Sequence, residues 1–178
     1  HVPARYWKGL KFYKASASSE INYALILLSN LTGVTINNSN IGIRHSTIKW
    51  NNNPNSEKAG GIDCYRSDPA IEYCEIVENT GTQGGGINCV YSDAIINYNY
   101  FKHNNASKGG ALYVTRSDIT VIGNTFESNA ADPASGGAIY LQSVTGNIFS
   151  FNILRNNTAQ VKGAGMVVDS CSINIFNN

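Results

Sequence analysis

Charge is scarce in this chain of 178 residues: Lys and Arg number 13, Asp and Glu 12, and the formal net charge is +1. A balance so near zero gives no global attraction to nucleic acid or to an acidic surface, so neither is expected as a partner. Long apolar runs are missing as well. The longest, Ala24 to Leu28, falls far short of the roughly 20 residues that cross a bilayer as a helix, and no transmembrane segment is expected. Cysteine is limited to four positions, and the spacing of Cys64 and Cys89 follows a repeat, not a disulfide framework. A start at His1 with neither Met nor a secretory signal, and a stop at Asn178 partway through a repeat, read as a piece of something longer. Asn, by contrast, is abundant at 24 positions. Asn-x-Ser/Thr sequons at Asn30, Asn37, Asn105 and Asn156 match the roughly four that chance would give, so they do not indicate glycosylation.

Between Ile62 and Asn129 one pattern is written three times at an interval of 25 residues. Columns appear when the copies are aligned: Ile62, Ile87 and Leu112; Cys64, Cys89 and Val114; Ser67, Ser92 and Ser117; Asp68, Asp93 and Asp118. Further along come Ile71, Ile96 and Val121, then Cys74, Asn99 and Asn124, then Ile76, Phe101 and Phe126, and finally Asn79, Asn104 and Asn129. Such a period means stacked supersecondary units. With too few residues between strands for a crossover helix, each strand can pair only in parallel with its counterpart one turn away. The expected fold is therefore all-β, a single domain over residues 1–178. It is a right-handed parallel β-helix of about seven turns of 22–28 residues, with three short strands and three corners per turn.

Unequal intervals locate the loops. The second copy lies 28 residues before the third, and the extra residues fall in Asn52 to Ala59, whose Pro and Asn are turn formers. A second insertion falls in Ala130 to Ser135, so one corner is expected to carry all the variation, where a solenoid usually keeps its specific surface. The Asn column at 51, 79, 104, 129 and 157 is expected at that corner, in a left-handed backbone conformation, with side-chain amides bonded along the axis. Gly pairs at 60–61, 85–86, 109–110 and 136–137 open the following strand. Cys64 and Cys89, stacked with parallel Cβ vectors, read as small apolar filling, because neighbouring turns set them too far apart for an unstrained bridge.

Several groups could carry chemistry. Stacked carboxylates at Asp68, Asp93 and Asp118 could hold a calcium ion, or each could form a turn with its own backbone. Acidic residues gather at Asp63, Asp68, Glu72, Glu75 and Glu78, but Arg44 stacks on Glu72, and Lys102, Glu127 and Arg155 form a second alternating column, as ion pairs that fix register. On the outward face of the strand after the Gly pair lie Asp63, Tyr65, Asn88, Tyr113 and Tyr140. Rings that stack on sugar faces, beside amides that meet hydroxyls, make these the candidate ligand-binding residues; a plain solvated face is the alternative. In the first coil Arg5, Lys8, Lys11 and Lys14 interleave with Tyr6, Trp7 and Tyr13, either a patch for a base or sugar or a cover for the end of the rod.

Gly-Gly-Ala-Leu at 109–112 and Gly-Gly-Ala-Ile at 136–139, with Phe-Lys-His-Asn at 101–104 and Phe-Glu-Ser-Asn at 126–129, resemble the two short motifs of chlamydial polymorphic membrane proteins. More broadly the chain is similar to right-handed parallel β-helix repeat proteins of microbial surfaces. The resemblance implies an extracellular or cell-surface module used for adhesion, with a polysaccharide or a host or cell-surface ligand. Polysaccharide lyases and glycoside hydrolases share the architecture, but no two Asp are adjacent here, and only Arg66 and Arg116 near Asp63 approximate a lyase site. No catalytic residue is assigned. A third reading is a purely structural solenoid that stacks end to end through its open edges.

Overall fold

A computed structural model describes residues 7–178, with the side chains of 146–147 excepted. Arg5 and Tyr6 of the first-coil patch lie outside the described residues. The strands are short because each turn must bend three times. The first sheet has seven: Leu10–Tyr13, Val34–Asn37, Ile62–Tyr65, Ile87–Val90, Leu112–Thr115, Ile139–Gln142 and Met166–Asp169. A second seven-stranded sheet runs from Glu20–Asn22 to Ser172–Phe176, and a six-stranded third from Leu25–Leu27 to Ile153–Arg155. Every pairing among the described strands is parallel, and the register is the one written in the columns: Ile62 beside Ile87 beside Leu112, Ile71 beside Ile96 beside Val121, Ile76 beside Phe101 beside Phe126. These inward columns are fully buried. Each such side chain contributes on the order of 1.5–3 kcal/mol, so the interior holds the turns together.

All three corners obey one rule. A residue with φ near +50° turns the chain and the next residue points inward, with a polar side chain at most corners and with Ala15, Ala24, Cys74, Val144 and Cys171 as the exceptions. Trp50, Glu78, His103 and Ser128 are the left-handed residues, and Asn51, Asn79, Asn104 and Asn129 follow them. The expected left-handed Asn is thus corrected by one position: the ladder residue has ordinary backbone, and its predecessor takes the strain. Along the ladder each Asn Nδ2 donates to the next Asn Oδ1 at 2.9–3.1 Å, while that oxygen also accepts the backbone N–H of the same preceding Asn. A second ladder runs through Asn99, Asn124, Asn152 and Asn178, headed by the backbone N–H of Cys74. Ser39, Ser67, Ser92 and Ser117 form the third, each hydroxyl donating within its own turn and accepting an N–H from the coil before it.

Two expectations about the corners change. A fourth sheet of three strands, Asn105–Lys108, Ala130–Ser135 and Thr158–Ala159, occupies the edge expected to be loop, and the insertion at 132–133 is a bulge within it. Nor does one corner carry all the variation: a register shift also lies between Thr145 and Asn147 in the second sheet. An extra residue there costs one lost pairing only, so the ladders on either side resume. Gly85 shows why the edge needs glycine. A Cβ there would sit 2.3 Å from the carbonyl oxygen of Asn105 in the neighbouring coil.

Candidate functional site

Strand alternation and register place Asp63, Asn88, Tyr113 and Tyr140 in one outward row of the first sheet, beside a second row that contains Tyr65 and Gln142. The middle of the first row is nevertheless sealed. Asp63 and Asn88 are each 1 % exposed and Tyr113 is 3 % exposed, because the segment 52–59 crosses over the sheet as a strap. The strap is pinned at both ends: Asn53 Nδ2 donates to Thr32 Oγ1 at 2.8 Å, and Thr82 Oγ1 donates to the Asn55 carbonyl at 2.8 Å while accepting the Lys58 N–H. From its underside Lys58 Nζ donates to Asp63 Oδ2 at 2.8 Å. Asn88 Nδ2 donates to Asp63 Oδ1 at 2.8 Å and to the Glu57 carbonyl at 3.1 Å, which leaves Asn88 Oδ1 buried without a protein partner. A carboxylate removed from water needs such partners on both oxygens. The expectation of an open row is therefore corrected: periodicity says which residues point outward, but not what folds over them.

Two clefts flank the strap and share Ser56 and Lys58 as their dividing wall. The first, about 470 Å³, is lined by Lys8, Lys11, Tyr13, Thr35, Asn37 and Asp63, among others. The second, about 430 Å³, takes in Tyr65, Gln83, Lys108, Tyr113, Arg116 and Gln142. Of the sequence-predicted ligand residues, Asp63 thus reaches the first cleft, Tyr65 and Tyr113 the second, and Asn88 acts through Asp63. Tyr140 stands behind the second cleft, stacked on Tyr113 with ring centroids 5.7 Å apart, under the Lys108 ammonium. The Tyr113 hydroxyl donates to Gln142 Oε1 at 2.9 Å, and burial raises the phenol's pKa above its usual value. Residues of the strap 52–59 line both clefts, whereas Ala130–Ser135 belongs to the fourth sheet and lines neither.

Carboxylates of the Asp column bond along the axis of the rod. Asp93 N–H donates to Asp68 Oδ1 at 2.9 Å and Asp118 N–H to Asp93 Oδ1 at 2.7 Å, so the Asp68 and Asp93 carboxylates cap the turn of the next coil. Among the described residues no group of three or more His, Cys, Asp and Glu is placed to hold a metal ion. Cys64 and Cys89 are free and adjacent in register, and a hydrogen bond with Cys89 together with burial pushes the Cys64 thiol well above its usual range. The ion pairs stand where the columns put them, Arg44 with Glu72 at 3.0 Å and Arg155 with Glu127 at 2.7 Å.

One surface escaped sequence reasoning. At the second corner Tyr23, His45, Tyr73 and Tyr98 stack face to face with centroids 5.0–5.3 Å apart, all exposed. The signal was present, since these residues recur at the same intervals as Ile21, Ile43, Ile71 and Ile96. Three parallel sheets coiled about one interior define a β-solenoid, and no helix among the described residues is long and apolar enough to cross a membrane. A family model described as the right-handed β-helix region matches residues 8–152, and the chain belongs to that family. Comparison with curated proteins and with solved structures gives no match. The narrower resemblance to chlamydial polymorphic membrane proteins is not confirmed.

Proposed function

We propose that this β-helix is an extracellular or cell-surface module that binds a polysaccharide along the outer face of its first sheet and has no catalytic role of its own. The observation that carries the proposal is the pair of clefts on either side of the strap, in which tyrosine rings stand beside amides and hydroxyls. Rings cover the apolar faces of a sugar while amides satisfy its hydroxyls, and a rod offers successive coils to successive sugar units. Asp63 supports a binding role over acid or base catalysis, because both of its oxygens are already engaged by Lys58 and Asn88. The test is a panel of soluble polysaccharides, read by calorimetry for binding and by product analysis for turnover. Binding lost in Tyr65→Ala and Tyr13→Ala, with the polymer intact, is expected; new reducing ends or unsaturated products would overturn the non-catalytic reading.

A further inference from the structure

Cations are distributed unevenly between the faces of the rod. On the second and third sheets Arg44, Lys49, Lys102 and Arg155 each lie 2.7–3.6 Å from a carboxylate. Around the clefts only Lys58 has such a partner, the buried Asp63. Lys8 and Lys11 in the first cleft, and Lys108 and Arg116 in the second, have none among the described residues.

Two of these cations are positioned without being neutralised. The Lys108 ammonium lies 5.3 Å from the Tyr140 ring centroid. The Arg116 guanidinium stands 5.4 Å from the Tyr91 ring centroid and donates to the Tyr91 hydroxyl at 2.8 Å. An aromatic partner holds a cation in place and leaves its charge uncompensated. With Lys58 already paired to Asp63, the second cleft sets one carboxylate, Glu57 on the strap, against Lys108 and Arg116. Of the described cations without a carboxylate partner, Lys8, Lys11, Lys108 and Arg116 line the clefts, while Lys14, Arg66 and Lys162 line neither.

We propose that the second cleft takes an anionic segment of a glycan, with its carboxylate or sulfate groups drawn to Lys108 and Arg116 and a sugar ring against Tyr65. The inference rests on the glycan-binding reading above and narrows it to acidic polymers. A glycan is favoured over nucleic acid because the cleft presents its positive charge at a few points beside hydroxyls and amides, not as a continuous basic stripe.

The experiment compares four probes by calorimetry at low and moderate salt: a linear uronic-acid oligosaccharide, its carboxyl-reduced neutral counterpart, a sulfated oligosaccharide and a single-stranded oligodeoxynucleotide. The expected result is that one of the two acidic glycans binds, that salt weakens it, and that Lys108→Gln with Arg116→Gln lowers its affinity about tenfold, the sum of two partly exposed charge contacts. The double variant is checked for an unchanged melting curve, and Lys108→Gln alone replaces it if that curve shifts. Equal binding of the neutral glycan, unaffected by the substitutions, overturns the anionic inference and leaves the glycan reading standing. Binding of no glycan overturns both, as does tighter binding of the oligodeoxynucleotide.

Discussion

Asn104 shows how much one position carries in a stack. Its side chain accepts from the Asn79 N–H and Nδ2 at 3.0 and 3.1 Å and donates to the Ile76 carbonyl and Asn129 Oδ1 at 2.7 and 3.0 Å, all out of reach of water. Asn104→Ala leaves buried groups on the two neighbouring coils short of a partner, at about 1–3 kcal/mol for each group left unsatisfied, so a loss of about 3 kcal/mol or more is expected. Asp93→Ala removes one exposed cap that water replaces, and about 1 kcal/mol or less is expected. Urea midpoints measure the contrast, and equal shifts would contradict the ladder's role. Glu127 gives a pH signature. Hydrogen bonds from the Tyr100 hydroxyl and then from Arg155 lower its pKa from the usual 4.5 to about 2. A depressed carboxyl contributes stability above its unfolded pKa and loses it as pH falls through the folded one. Glu127→Gln should therefore melt below the parent protein at neutral pH, with the gap closing between about pH 4.5 and 2. A gap that stays constant over that range would rule the ion pair out as its source.

At the scale of elements, the strands were legible and the strap was not. Strand positions and register follow from the columns because each inward residue must meet its own kind one turn away, which leaves a single alignment that buries Ile62, Ile87 and Leu112 together. The strap has no such template. Its residues 52–59 announce a turn through Pro54 and its Asn neighbours, but its course over Asp63 and Asn88 depends on hydrogen bonds to Thr32 and Thr82 from other coils. The aromatic ladder of Tyr23, His45, Tyr73 and Tyr98 was hidden for the opposite reason: it obeys the repeat so well that it reads as corner. The strap's hold on the sheet can be tested through the asymmetry of its ion pair. Asp63 is buried and Lys58 is partly exposed. Lys58→Met strands a buried carboxylate, whereas Asp63→Asn leaves an ammonium that water can reach. Hydrogen exchange at residues 53–58 should rise strongly in the first variant and only slightly in the second. Equal rises in the two would show that the ion pair does not anchor the strap.

For the whole molecule, the decisive property is that every ladder and every sheet joins a coil only to its two neighbours. Stability is then a sum of coil terms and interface terms, and opening proceeds from the ends. The centre is the better built part: Ile62, Ile87, Leu112 and Ile139 are fully buried, whereas Ile21 keeps 7 % of its surface exposed in the first coil and Val168 keeps 44 % in the last. The two long Asn ladders also run together through the middle coils, from Asn99 with Asn104 to Asn124 with Asn129. The clefts straddle this gradient. The first uses Lys8, Lys11 and Tyr13 of the outermost coil, and the second uses Tyr65, Tyr113 and Arg116 of the interior. Native-state hydrogen exchange should accordingly show the slowest amides in Ile87–Val90 and Leu112–Thr115, with protection falling by at least tenfold toward Leu10–Tyr13 and Met166–Asp169. A ligand seated in the second cleft should slow exchange little in the terminal strands, since it touches coils that are already closed, whereas one bridging both clefts should protect Leu10–Tyr13 as well. Uniform protection along the rod would mean that it opens as one unit, and the nearest-neighbour account would then fail.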